Sequence, residues 1–259
     1  MREFFCLLAL GFSFALVFPS LAPAGSVSTQ TLHGLIDNIQ GHEVTVLGEH
    51  HGRPESPRLL VELAEAMTRG GECLGVGLEI YSDQNESLAG FMAGDGPVGA
   101  IAVSSVIDHA GFREMLVELR RLVRDDRCLE IRAVDLPRRL WGGEMTRDEW
   151  MADQLAAMVG NGPVVALLGN AHAIKSVRWE DGVDRPYVAE LLGRQAVEVF
   201  SVMQYWPAGV ECEGRFGRWY DRCHGWAQAA FESVLRVRSV VEQDDVSGIG
   251  DGVVVWECG

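Results

Sequence analysis

Four short apolar, β-branched runs, each followed by a polar loop and then by an amphipathic stretch, limit this chain more than anything else in it. The runs are residues 43–47, 74–80, 129–134 and 164–168. Between them lie segments with helical periodicity. In residues 56–69 the apolar side chains Leu59, Leu60, Leu63, Ala64 and Met67 share one face, and Gly70-Gly71 ends the pattern. Strands that alternate with helices in this way imply βα units and a mostly parallel sheet. The expected fold class is therefore α/β, a mostly parallel β-sheet flanked by helices.

Residues 82–127 read as a helical insert in two or three pieces, broken at Gly94-Asp95-Gly96-Pro97. Its last piece carries the stripe Phe112, Met115, Leu116, Leu119 and Val123. Residues 146–159 read as a helix, because Thr146 and Glu149 form a capping box and Met151, Leu155 and Met158 face inward. Residues 188–192 read as a short helix, and 197–202 and 253–256 as strands. Residues 235–240 fit a strand or a helix, and 207–232 carry no assignable pattern.

The amino terminus does not belong to this pattern. Met1-Arg2 precedes an apolar run over residues 4–18, and Ala22-Pro23-Ala24 is a small-x-small cleavage site. The expected organisation is a signal peptide over residues 1–24 and one α/β domain over 25–259, placed in the periplasm or secreted. No later segment is apolar and long enough to span a bilayer. With 47% apolar residues the chain can bury a sizeable core. Its net charge of −15 argues against binding nucleic acid or anionic lipid by charge. An oxidising compartment makes disulfides the natural reading of the cysteines. Cys73 and Cys128 each precede the first residue of a strand, so parallel neighbours would bring them together. Cys212 and Cys223 form a weaker candidate pair.

In an open parallel sheet, ligands bind beyond the carboxyl ends of the strands. There this sequence places Glu49, His50 and His51 after the first strand, Glu79 at the end of the second, Asp135 after the third, and Asn170 and His172 after the fourth. Gly48 and Gly169 each stand three residues before a histidine, where a missing Cβ lets backbone and ligand approach closely. Carboxylates and imidazoles on neighbouring loops serve either of two chemistries. They hold a divalent metal with an open position, or they form a general base with an orienting carboxylate. Arg147 opens the capped helix, where it reaches the site or pairs with Asp148. Lys175, the single lysine, is either an oxyanion donor or a loop residue. His33, His42, His109 and His224 read as hydrogen-bonded turn residues.

Gly48-Glu49-His50-His51-Gly52, then Gly77-Leu78-Glu79, then Arg147-Asp148 with Met151-Ala152, then Leu168-Gly169-Asn170-Ala171-His172-Ala173, resembles the superfamily of ChaN-like haem-binding proteins, TraB/Tiki proteins and erythromycin esterases. The resemblance spans about residues 43–201. It implies a shared polar site on Glu49, His51, Glu79 and His172. It also implies a metal-dependent peptidase, a lactone-opening esterase with a histidine-activated water, or a haem binder. A hydrolase acting on a peptide or ester bond of a small-molecule or peptide substrate is the primary expectation, and haem or iron capture the alternative. Haem in that superfamily is held from the helical part. Here that part offers His109 and no tyrosine, so tight haem binding is not expected. No Gly-x-Ser-x-Gly elbow and no His-Glu-x-x-His helix is present.

Overall fold

The computed structural model describes residues 26–176, 184–207, 216–237, 246 and 248–257. The expected signal peptide, and Cys212, lie outside the described residues. The elements run β1 (Ser26–Val27), α1 (Thr29–Gln40), β2 (Val44–Glu49), α2 (Glu55–Met67), β3 (Leu74–Tyr81), α3 (Asn85–Ala93), α4 (Ala110–Arg124) and β4 (Leu129–Asp135). They continue with α5 (Arg147–Ala156), β5 (Val164–Gly169), α6 (Val188–Arg194), β6 (Val199–Tyr205), β7 (Phe216–Asp221), α7 (Gly225–Val237) and β8 (Gly252–Glu257).

The strands form one eight-stranded sheet in the order β1-β7-β8-β6-β2-β5-β3-β4. All neighbours from β8 to β4 are parallel, and β7 runs antiparallel to β8. Both faces of the central strands are covered. Val44 and Val46 of β2, with Val164, Ala166 and Leu168 of β5, pack on Met151 and Leu155 of α5, Leu192 of α6 and Phe231 of α7. Leu47, Val165 and Leu167 turn the other way, onto Leu35 of α1, Leu59 and Leu63 of α2, and Phe112 and Leu116 of α4. Burial on both sides explains why these strands read as continuous apolar runs.

The α/β class and the four strands of the first 170 residues match the sequence reading. The capping box is formed: Thr146 Oγ1 accepts from the Glu149 amide and Glu149 Oε2 from the Thr146 amide. Two features were not read, and one reading left open is decided. Thr29–Gln40 is a helix, capped by Ser28, whose hydroxyl accepts from the Thr31 amide. Phe216–Asp221 is a strand, and Gly217, Arg218 and Asp221 interrupt its aromatic residues, so it forms no apolar run. The segment beginning at Leu235 belongs to the end of α7, so helix prevailed over strand there as far as Val237.

Cys73 and Cys128 are joined, with Cα atoms 4.5 Å apart. The next residues, Leu74 and Leu129, are register partners of β3 and β4, so parallel pairing itself brings the two thiols together. Cys223 is a free, exposed thiol. Closing 55 residues of chain constrains the unfolded ensemble, so Cys73→Ser with Cys128→Ser is expected to lose about 2–4 kcal/mol. Denaturant titration checks this, and an unchanged midpoint would refute it. Among the described residues no helix is long and apolar enough to cross a membrane.

Candidate functional site

The site follows from the order of the strands. The helix leaving β2 packs on one face of the sheet and the helix leaving β5 on the other, while β2 and β5 are neighbours. The carboxyl ends of such a strand pair are where open α/β sheets bind ligands. Glu49 and Gly169 are register partners at that rim, and β3 and β4 deliver Glu79 and Asp135 beside them.

Three polar assemblies meet there. In the first, His51 Nδ1 lies 2.8 Å from Glu49 Oε1. Glu49 is buried and the His51 side chain is one-third exposed. In the second, His172 Nδ1 lies 2.7 Å from Asp148 Oδ1, which also accepts from the Val188 amide at 3.2 Å. The His172 ring meets Tyr187 edge-on, with centroids 6.5 Å apart. In the third, the Arg147 guanidinium bridges two buried carboxylates. It reaches Glu79 Oε1 at 2.5 Å and Asp135 at 2.6 and 2.8 Å, while Glu79 Oε2 accepts from the Gly169 amide at 2.7 Å.

The two glycines work by proximity. A Cβ on Gly169 would lie 3.0 Å from His51 Cε1 and Nε2, so the ring rests on that backbone. A Cβ on Gly48 would lie 2.3 Å from Asn170 Oδ1.

Charge balance follows from burial. Burial pushes the His51 imidazole down, but the Glu49 hydrogen bond and the Glu79 and Glu49 charges outweigh it, and the ring sits above the usual imidazole range. His172 behaves alike: burial lowers it, while the Asp148 bond and the Asp148 and Glu79 charges raise it further. Burial raises the Glu79 carboxyl, yet His172, Arg147, His51 and the Gly169 amide hold it below the usual carboxylate range.

Glu49, His51, Glu79 and His172 thus converge, and Arg147 and Asp135 join them through Glu79. Of the two roles left open for Arg147, the structure has it reach the site. Asp148 instead holds His172. The sequence reading missed this, although Asp148 was already in a quoted motif.

Three of the candidates named from sequence are placed elsewhere. His50 is exposed and meets Trp206 edge-on. Asn170 is a bracket between strands. Its Oδ1 accepts from the Gln204 amide at 3.0 Å and its Nδ2 donates to the Gln204 carbonyl at 2.9 Å. Lys175 donates to Asp251 and to the carbonyl of Val199, the first residue of β6, away from the rim. His42 is the hydrogen-bonded residue expected, with Nδ1 2.7 Å from the Asn38 carbonyl. His109 is not: its Nε2 is buried without a hydrogen-bond partner.

The metal reading of Glu49, His51, Glu79 and His172 does not fit this geometry. Both Glu79 oxygens are engaged, one by Arg147 and the other by the Gly169 amide, which takes Glu79 out of the ligand set. Among the described residues no group of three or more His, Cys, Asp or Glu is arranged to hold a metal ion.

The chain is thus an α/β protein with a mostly parallel sheet, and it carries histidine–carboxylate pairs at the carboxyl ends of its central strands. Three solved structures share the α/β fold across most of their length. ChaN of Campylobacter jejuni, described with cofacial haem binding, is 12% identical with a TM-score of 0.54, covering 87% of this chain and 91% of its own. A mutant of the erythromycin esterase EreC in its open conformation is 12% identical with a TM-score of 0.62, covering 90% and 95%. A succinoglycan biosynthesis protein is 10% identical with a TM-score of 0.65, covering 91% and 92%. At these identities the likeness is one of fold. In sequence, no protein-family model matches the chain, and no curated protein matches it significantly.

Proposed function

We propose that this protein is an exported hydrolase that opens an ester with a histidine-activated water and without a metal. One observation carries the reading. His51 and His172 each spend Nδ1 on a carboxylate, which leaves both Nε2 atoms for substrate chemistry.

In the proposed reaction, His51 Nε2 removes a proton from water and the water oxygen attacks the ester carbonyl. His172, the more buried ring and the one held between Asp148 and Glu79, donates a proton to the departing alkoxide. Acid and alcohol leave, His51 gives its proton to solvent, and His172 is reprotonated. Arg147 keeps Glu79 ionised and fixed, so that Glu79 supports positive charge on both rings.

The loop between β4 and α5 supports an apolar substrate body. It leaves the site at Asp135 and returns at Arg147, and the pair between these residues clamps its two ends. Leu140, Trp141 and Met145 on it are exposed, and Trp141 is 57% so. Arg138 lies over both Tyr81 and Trp141, with its guanidinium carbon 5.0 and 6.0 Å from the ring centroids.

The test is a panel of nitrophenyl esters of increasing acyl length beside a peptide panel. KM is expected to fall as the acyl chain lengthens. Trp141→Ala should raise KM for the long esters by about tenfold, the loss of one buried aromatic contact, and leave the acetate unchanged. Hydrolysis of neither panel by the wild-type protein would sink the reading. Haem capture, suggested by the ChaN likeness, is the second reading, and a strong Soret band on adding haemin would favour it.

A further inference from the structure

The helical insert bears on this site through one residue. α4 begins beside the loop that follows β2, and its second residue makes the approach close. A Cβ on Gly111 would lie 2.8 Å from Pro54 Cβ and 2.9 Å from Pro54 Cα, so only glycine admits this contact. His109, the residue before α4, is carried with it. Its side chain makes no capping bond to the helix, and its ring meets Phe112 edge-on at 6.4 Å. The facing loop is itself firmly held. The Arg53 amide donates to the His50 carbonyl, the Arg53 side chain pairs with Glu55 at 2.6 Å, and its guanidinium lies over Trp206.

Among the buried polar atoms of this region that have no protein hydrogen-bond partner are His109 Nε2 and Glu49 Oε2. Glu49 as a whole is 3% exposed, and its other oxygen holds His51. A buried carboxylate oxygen without a donor bears its full desolvation penalty, and a buried imidazole nitrogen is penalised in the same way. One partner that satisfies both removes both costs. Burial lowers the His109 imidazole, and of the charges acting on it Glu49 is the strongest, ahead of Asp108 and His51. The same Cβ position on Gly111 that meets Pro54 lies 3.4 Å from His109 Cε1, so the His109 ring sits against the loop that leads out of Glu49.

We infer that His109 is a positioning residue of the site, which donates through Nε2–H to Glu49 Oε2, directly or through one bound water, and so fixes the carboxylate that orients His51. The inference rests on the hydrolase reading for its catalytic consequence only. The insert then completes a relay from His109 through Glu49 to His51, and Gly111 sets how closely it docks.

Two measurements test this. The first is a high-resolution crystal structure of the wild-type protein and of His109→Leu. A direct bond, or one ordered water within hydrogen-bond distance of both atoms, is expected in the wild type, with the Glu49 carboxylate turned or re-paired in the variant. If His109 Nε2 or Glu49 Oε2 is instead satisfied by another protein group, the inference is overturned. The second uses p-nitrophenyl acetate. His109→Leu should lower kcat roughly tenfold, the low end for removing a group that orients a reacting side chain. KM should stay within about twofold, and His109→Gln, which keeps a donor near Nε2, should recover part of the rate. Wild-type kcat in His109→Leu overturns the inference, as does equal loss in both variants. A wild-type protein that cleaves no ester rejects the hydrolase reading, and the crystal structures then decide the hydrogen bond by themselves.

Discussion

His51→Ala is expected to cut ester turnover by about a thousandfold, within the range for removing a general base. Alanine at His172 should cost less, because water can still protonate a good leaving group. The double variant should add little to the loss in His51→Ala, as for groups that act as one unit. Asp37→Ala, an exposed change on α1, is the control. The pH profile gives the sharper test. A general base works when neutral, and His51 is held above its ordinary range, against burial, by its bond to Glu49 and by the Glu79 and Glu49 charges. The wild-type rate should therefore rise as pH increases through that raised value. Glu49→Gln removes both the charge and the ionic hydrogen bond, so the acid limb should move to lower pH while the plateau falls. An acid limb that stays in place, or moves upward, would show that Glu49 does not govern His51.

Arg147→Met should be the most damaging single change to stability at this rim. It leaves Glu79 and Asp135, both buried, without the cation between them. Breaking a buried pair costs about 3–5 kcal/mol. Arg147 itself is a little over one-third exposed, so water takes over part of its role and about 2–3 kcal/mol is the reasonable figure. The sign with pH is fixed by Glu79, whose folded-state pKa is lowered. Its contribution to the wild type is present above the unfolded carboxylate value and is lost as pH falls through the folded one. In the variant the carboxyl gains a proton more easily, so the stability gap should be widest near neutrality and should close in acid. Chemical denaturation across pH measures this. A gap that stays constant would mean that lost packing, and not the stranded carboxylates, sets the cost. Glu49, Glu79 and Asp135 are all buried, so changes at this rim are expected to cost stability as well as activity.

The sequence by itself determined the α/β class and the rim on which the polar residues lie. Apolar runs such as Val44–Glu49 and Val164–Gly169 are buried on both faces, and that pressure leaves a one-dimensional trace. The capping box at Thr146, the glycines at 48 and 169, and the shared start of the strands after Cys73 and Cys128 are likewise local signals with local causes. What failed had non-local causes. Phe216–Asp221 pairs antiparallel with β8 near the sheet edge, and its aromatic residues are broken up by Gly217, Arg218 and Asp221, so that pairing and not an apolar run marks it as a strand. Asn170 and Lys175 looked like site residues by position, but the chain after β5 turns back along β6, and both are spent on bracing it. Asp148 and His109 show the converse. Neither stands at a strand end, and each comes near the site because a helix docks its first turn there: α5 for Asp148, α4 for His109. Periodicity tells which face of a helix is buried. It does not tell what that helix's first turn meets, because side chains 24 residues apart, such as Asp148 and His172, are brought together by packing between layers, which only the tertiary structure decides.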